Sequence, residues 1–309
     1  KEIFDAFREK DFMVGAYFSK PDWHSDYYWW PYFATPDRNV NYDPEKYPER
    51  WDKFVNFTHN QILELMTDYG DVDILWLDGG WVQKRDQTQT RRISQDIKMD
   101  QLVEKCREKQ PGLIVVDRAV HGPNQNYLTP ENRVPERTLP YPWESPMISI
   151  EDERNWAYKP DANYMSGREA VHMLIDIVSK GGNLLLNIGP GPNGNWQDGA
   201  YKLLDQIGNW MDINQEAIYN SEPIMPYKED NICMTEQQDG RVYYFYFTDQ
   251  DDHMPEKIEI RSHKPVANAT VTLLGIDEEL DWEEKGYGFE IHIPKEIQNN
   301  PPCRYAWTF

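Results

Sequence analysis

Apolar residues along this chain recur in two rhythms, and the rhythm changes near residue 222. Before that point, short continuous apolar runs alternate with stretches spaced at i, i+3, i+4 and i+7. The runs suit strands buried on both faces, and the spaced stretches suit amphipathic helices. The runs cover residues 12–18, 74–77, 113–118 and 183–188, with one more short run at 147–150. Helical spacing covers 1–10, where Ile3, Phe4 and Phe7 share a side, then 51–69, 95–109 and 198–214. Gly70 and the Pro111-Gly112 pair supply stops. The clearest helix opens at Ser166-Gly-Arg-Glu169, a capping-box pattern, and carries Val171, Leu174, Ile175 and Val178 on one face before Gly181 ends it. Alternation of this kind predicts a parallel sheet with helical crossovers. After Glu222 the runs are short, several alternate apolar and polar, and polar turns separate them. They cover 242–247, 257–261, 270–274, 289–293 and 305–309, and predict a small antiparallel β-sandwich. The predicted domains are therefore 1–222 and 223–309.

The polar exceptions to the apolar runs gather at one end. Tyr17, Asp78, Arg118 and Asn187 each stand at the C-terminal end of a predicted strand, where parallel α/β sheets bind their ligands. The stretch Asp73-Ile-Leu-Trp-Leu-Asp-Gly-Gly80 is the most pointed case, a buried strand closing on a carboxylate and two glycines that permit a sharp turn. Asp78 at such a position either does chemistry or caps the following element. Asn187 has a simpler use, satisfying backbone groups under the turn Gly189-Pro-Gly-Pro-Asn-Gly194. The long segment 19–50, dense in Trp, Tyr, Asp and Pro, reads as an ordered functional loop.

Charge and composition narrow the ligand. A formal net charge of −21 argues against nucleic acid or an anionic membrane surface as partner. Aromatic residues make up 14%, including 12 Trp and 19 Tyr, and such rings stack on the apolar faces of sugars as well as filling cores. The three cysteines are widely spaced and odd in number, which describes neither a disulfide framework nor a metal site. No metal-ligand spacing, P-loop, dinucleotide glycine pattern or Gly-x-Ser-x-Gly occurs.

A neutral ligand, aromatic walls and strand-end carboxylates are the equipment of glycoside hydrolysis, which needs two carboxyl groups flanking one bond. Asp78 is the candidate nucleophile. The second carboxyl is Glu131, in Thr-Pro-Glu, or Glu144, in Pro-Trp-Glu. Either is otherwise a solvated surface glutamate. Trp143 beside Glu144 predicts a desolvated carboxyl with a raised pKa, as a general acid requires. Arg118 holds a sugar hydroxyl, or keeps a carboxylate ionised, or forms a structural ion pair.

Several of these pieces together resemble the retaining α-L-fucosidases of glycoside hydrolase family 29. Trp-Leu-Asp78-Gly is similar to that family's nucleophile motif. The segment Val178-Ser-Lys-Gly-Gly-Asn-Leu-Leu-Leu-Asn-Ile-Gly-Pro190, with Asn193-Gly194 after it, is the most specific match, and Ala217-Ile-Tyr219 resembles the segment after the last barrel helix. The resemblance covers roughly residues 11–225. It implies an exo-acting hydrolase that removes terminal α-L-fucose from oligosaccharides or glycoconjugates by double displacement. In that scheme Asp78 is the nucleophile and Glu131 the acid/base, with Glu144 as the alternative, while Tyr17, Trp76, Arg118 and Trp143 bind substrate. The implied partner is a fucosylated glycan, and no cofactor or metal is implied. A non-catalytic fucose-binding or scaffold protein, or a related α-L-galactosidase, would share the same fold.

The family's early motifs, an Ile-His-Trp-Gly-like segment, a Glu-Trp pair and Lys-His-His-Asp-Gly, do not occur here. Four or five parallel strands are legible, where a barrel of this type has about eight. The expected fold is therefore the C-terminal part of a (β/α)8-like barrel followed by a small antiparallel β-sandwich. About three N-terminal units are expected upstream or on a second chain.

Overall fold

A computed structural model describes residues 1–35, 37–85, 93–147 and 156–309. It divides into two compact units, Lys1–Thr129 and Pro130–Phe309.

The first unit runs α1 (Glu2–Arg8), β1 (Gly15–Ser19), α2 (Pro48–Thr67), β2 (Ile74–Asp78), α3 (Met99–Lys109) and β3 (Ile114–Val115). The three strands form one parallel sheet in the order β1-β2-β3, with Tyr17 opposite Trp76 and Ser19 opposite Asp78. Successive side chains on a strand point to opposite faces. Ala16, Leu75, Leu77 and Val115 therefore turn one way, into a core with Phe54, Ile62 and Met66 of α2 and Leu102, Val103 and Cys106 of α3. Tyr17, Ser19, Trp76 and Asp78 turn the other way and stay partly open. Burying each of those leucines contributes about 1.5–3 kcal/mol, so the core face fixes the register that puts Asp78 on the polar face.

The predicted strand 113–118 keeps its ladder only at Ile114–Val115. Asn126 takes over from there, its Oδ1 accepting from the Val115 N–H and its own N–H donating to the Val115 carbonyl. The predicted helix from residue 95 begins at Met99 instead, because Lys98 has a left-handed backbone (φ 56°) that no helix interior accommodates. Gln95 is engaged elsewhere. It is buried, accepts from the Val40 N–H and donates to the Trp81 carbonyl, tying the long aromatic loop to the body of the unit. In that loop Tyr28 is fully buried against Phe54, and the Arg50 guanidinium lies 4.3 Å from the centre of Trp30. The loop is ordered by its aromatics, as its composition predicts.

The second unit contains β4 (Trp143–Met147), α4 (Gly167–Ser179), β5 (Gly182–Leu186) and α5 (Asp198–Asn214). β4 and β5 pair in parallel, with Glu144 opposite Asn183. Residues 148–150 of the predicted run 147–150 lie outside the described residues. The capping box at α4 is complete: the Ser166 hydroxyl accepts from the Glu169 N–H, and the Glu169 carboxylate accepts from the Ser166 N–H. Caps of this kind contribute about 1 kcal/mol. They hold the Glu169 carboxyl below its usual range, the Ser166 N–H contributing most.

Antiparallel strands complete the second unit: β6 (Ser221–Glu229), β7 (Ile232–Gln237), β8 (Val242–Phe247), β9 (Lys257–Ile260), β10 (Val271–Thr272), β11 (Glu279–Leu280), β12 (Trp282–Lys285), β13 (Gly288–His292) and β14 (Ala306–Thr308). They form sheets in the orders β14-β8-β7-β6, β12-β13-β9 and β10-β11. Four of these strands, β6, β7, β11 and β12, lie outside the runs read from the sequence. β6 carries Pro223 and Pro226 and shifts register between Pro223 and Lys228, while residues 232–235 of β7 are all buried, so neither shows alternation. Helix α4 is fastened to this region through Asp252, which accepts from Arg168, Arg304, the Thr248 hydroxyl and the Tyr305 N–H. Burial alone would raise that carboxyl, but these donors hold it down at about 2. No helix among the described residues is long and apolar enough to cross a membrane.

Candidate active site

The polar face of the β1-β2-β3 sheet ends in a small hydrogen-bonded cluster around Asp78. Tyr17, two places before the end of β1 and on the same face as Asp78, donates its hydroxyl to Asp78 Oδ2 at 2.8 Å. The Ser19 hydroxyl lies 2.8 Å from the same phenol oxygen. The Gly79 N–H donates to Asp78 Oδ1 at 2.7 Å, and an Arg118 guanidinium nitrogen stands 3.6 Å from that oxygen. Both carboxylate oxygens are thus met by fixed donors, which fixes the plane of the group. Burial first, and then the neighbouring Asp78 carboxylate, push the Tyr17 phenol above its ordinary range, so at neutral pH it is a donor and not a phenolate.

Gly79 is a glycine for two reasons. Its φ of +78° lies in the left-handed region, and a Cβ there would stand 2.5 Å from Pro21 Cδ. Gly80 carries no such constraint, since a Cβ would approach only Arg118 Cδ, at 3.9 Å. Of the two glycines after Asp78, the first makes the turn.

Arg118 is positioned from behind and above. Its Nε donates to Thr129 Oγ1 at 3.0 Å, and that hydroxyl donates to Asp117 Oδ1 at 2.8 Å. The guanidinium carbon lies 5.2 Å from the centre of the Trp76 ring, and Trp76 in turn stacks on Tyr17 with centroids 5.5 Å apart and planes 20° apart. Tyr17 is 59% exposed, so the stack presents an open apolar surface beside the carboxylate. Four of the sequence candidates, Tyr17, Trp76, Asp78 and Arg118, therefore come together in the first unit.

The remaining three belong to the second unit. Glu131 lies in a turn, partly buried, and the turn is anchored to β4. The Asn132 N–H donates to the Pro146 carbonyl, and the buried Ser145 hydroxyl donates to the carbonyls of Pro130 and Arg133. Glu144 is partly buried on β4. Trp143, expected at the substrate surface, is instead buried. It is 1% exposed, donates its indole N–H to the Lys180 carbonyl, and lies so close over β5 that a Cβ on Gly182 would stand 2.3 Å from its ring. The sequence reading paired Trp143 with Glu144 because they are neighbours in the chain. On a strand, neighbours face opposite ways, so the indole packs the core while the carboxyl turns to the other face. Asn187 donates its side-chain amide to the Trp156 carbonyl, a backbone group outside the turn 189–194.

Sequence reasoning missed Lys20, Ser19, Asp117 and Thr129. Lys20 was findable: in the alternation of β1 it falls with Val14 and Ala16 on the buried side, and it is only 1% exposed. Its ammonium donates to the Asp78 carbonyl at 2.5 Å and to the Arg118 carbonyl at 2.8 Å. Among the described residues one trio has metal-ligand geometry, Glu283, Glu290 and His292, with ligand atoms within 4.8 Å of one another. Lys257 and Lys285 already sit on the Glu290 carboxylate at 2.5 and 2.6 Å, so its charge is matched without an ion.

Comparison with known proteins bears on this cluster. The family model described as alpha-L-fucosidase matches residues 1–216, and the model for the alpha-L-fucosidase C-terminal domain matches residues 227–309. The chain is similar to a tissue alpha-L-fucosidase of Bos taurus, at 27% identity over 99% of this chain and 62% of that protein. It thus spans less than two thirds of that relative's length. Among solved structures it is similar to alpha-L-fucosidase isoenzyme 1 from Paenibacillus thiaminolyticus, with a TM-score of 0.75, 24% identity, and coverage of 98% of this chain and 72% of that one. A Bacteroides thetaiotaomicron alpha-L-fucosidase, trapped as a covalent intermediate with 2-fluoro-fucosyl fluoride, matches with a TM-score of 0.73 at 21% identity, over 99% of this chain and 70% of that one. The fold is the C-terminal part of a (β/α)8-like barrel followed by an antiparallel β-sandwich.

Proposed function

This chain belongs to the alpha-L-fucosidase family, and from that premise we propose that it acts as a retaining exo-α-L-fucosidase with Asp78 as nucleophile. The observation that carries the assignment is the Asp78 carboxylate itself. It lies at a strand's C-terminal end, with Tyr17 and Gly79 donating to its two oxygens and Arg118 at 3.6 Å. These donors hold the carboxylate in one geometry, which a nucleophile needs. The domain division taken is 1–222 for the catalytic part and 223–309 for the sandwich.

In the first step Asp78 attacks the anomeric carbon of α-L-fucose as Glu131 gives its proton to the leaving oxygen. The product is a β-linked fucosyl ester on Asp78. In the second step Glu131, now a carboxylate, takes a proton from water, and that water displaces Asp78 with a second inversion. Arg118, held by Thr129 and stacked on Trp76, spreads positive charge beside the carboxylate that is re-formed when the ester is cleaved. The Tyr17–Trp76 stack offers an apolar surface to the sugar, and C6 of fucose is a methyl group where a galactoside has a hydroxymethyl group. The substrate is a fucosylated glycan with the fucose at its non-reducing end.

The test is the stereochemistry of the first product. With the full-length polypeptide and an aryl α-L-fucoside, proton NMR should show α-L-fucose first, its β anomer growing in only by mutarotation. A β anomer as the first product would mean single displacement and rule out a covalent role for Asp78.

A further inference from the structure

Lys20 carries the least expected charge in the first unit. Long charged side chains are almost never fully buried unless paired, yet Lys20, just past the end of β1, is 1% exposed. The ammonium donates to two backbone carbonyls, those of Asp78 and Arg118. The Lys20 N–H also donates to the Asp78 carbonyl, at 3.3 Å. One side chain from the end of β1 therefore ties together the end of β2 and the chain leaving β3, from behind the two residues whose side chains meet at 3.6 Å on the open face.

We infer that Lys20 is a positioning residue for the hydrolytic reaction, fixing Asp78 against Arg118 and lending positive charge behind the nucleophile. The inference rests on the fucosidase assignment above. Three considerations support it. A buried ammonium carries a large desolvation cost, which a core position could avoid with Leu or Met, so its retention here needs a reason beyond packing. The two carbonyls it holds belong to the nucleophile and to the arginine beside it, so a shift of either peptide displaces a reacting or stabilising group, and small displacements in such sites are costly to rate. Finally, burial lowers the Lys20 amine to about 7 against the pull of Asp78 and Asp117, so below that pH it carries its charge behind the nucleophile.

The test compares Lys20→Met with the wild type in the full-length polypeptide. Methionine matches the length and removes both donors and the charge. The expected result is a fall in kcat of about 10- to 100-fold with KM changed by less than about threefold, since the contact acts on the nucleophile and not on substrate binding. The acid limb of kcat/KM should move to higher pH by about half a unit or more, because a positive charge near Asp78 has gone.

The stability profile gives an independent readout. An unfolded lysine keeps its proton to about 10.5, while folded Lys20 releases it near 7. Between those values the unfolded chain binds more protons, so the wild type should gain stability as pH rises through that window, and Lys20→Met should lose that gain. If Lys20→Met fails to fold, Lys20→Gln, which keeps one donor but no charge, is read by the same pH profile. An unchanged kcat and acid limb in a folded variant would overturn the inference. Asp78→Gly run alongside separates the two levels. Loss of turnover there with none at Lys20→Met leaves the fucosidase assignment standing and removes Lys20 from it. Retained turnover at Asp78→Gly takes both away.

Discussion

Asp78→Gly should lower turnover of an aryl α-L-fucoside by about 10⁴-fold or more, because the proposed nucleophile is lost. The fold should survive. The Asp78 side chain is about one-third exposed, and its removal leaves Tyr17 and the Gly79 N–H facing water-accessible space. The space left by the carboxylate should admit azide. An azide ion attacking from the same face would restore turnover and yield β-L-fucosyl azide, inverted relative to the substrate. Turnover within about tenfold of the wild type would place the nucleophile elsewhere.

The second large effect concerns the acid/base. Glu131→Ala should cost about 10³- to 10⁴-fold with a fucosyl oligosaccharide, whose leaving alcohol needs a proton. With an aryl fucoside bearing an acidic phenol, the first step should be nearly spared, and hydrolysis of the ester becomes slow. Added azide then accelerates turnover and gives α-L-fucosyl azide, the retained product. Glu144→Ala in the same assays should remain within about tenfold of the wild type. Glu131 is placed first because it matches the family's acid/base position, and its setting is compatible with that role. Its turn is tied to β4 by Asn132 and by the buried Ser145 hydroxyl, and a proton donor must be held in place. Retained azide product from Glu144→Ala and not from Glu131→Ala would exchange the two roles.

Much of this arrangement was legible from the amino-acid order, and for identifiable reasons. The strand carrying Asp78 was readable because it is a continuous apolar run ending abruptly in a charge. The fold then obliges that charge to lie at the ligand end. The α4 capping box was readable because its two partners are three residues apart. What failed needed three-dimensional information. Trp143 was misplaced because adjacency in sequence was taken for adjacency in space, whereas strand geometry separates neighbours onto opposite faces. β6 and β7 were missed because prolines and complete burial erase the period on which strand recognition depends. The shortening of β3 was set by the Asn126 side chain, eleven positions on from Val115 in the sequence. Lys20 went unnoticed because a lysine after a strand reads as solvated, although the alternation already counted it among the buried positions.

The family also explains why the site reads more clearly than its pocket. Tyr17, Trp76, Asp78 and Arg118 share one sheet and its exits, so local order fixes them. The aromatic loop 19–50 adds a second open surface, where Trp23 stacks on Trp29 with planes 8° apart while remaining half exposed. An exposed, rigid indole pair of this kind suits the face of a sugar.

The central claim is that a bond forms between fucose and Asp78, and one measurement addresses it directly. The full-length polypeptide is incubated with 2-deoxy-2-fluoro-fucosyl fluoride, in which the fluorine at C2 slows ester hydrolysis more than it slows ester formation when the leaving group is good. Intact mass and peptide sequencing by mass spectrometry then locate any adduct. The account predicts one fluorofucosyl group per chain, on the peptide containing Asp78 and on that residue, lost from the Asp78→Gly protein. An adduct on another carboxylate, or none while the enzyme still turns over aryl fucoside with retention, would contradict it.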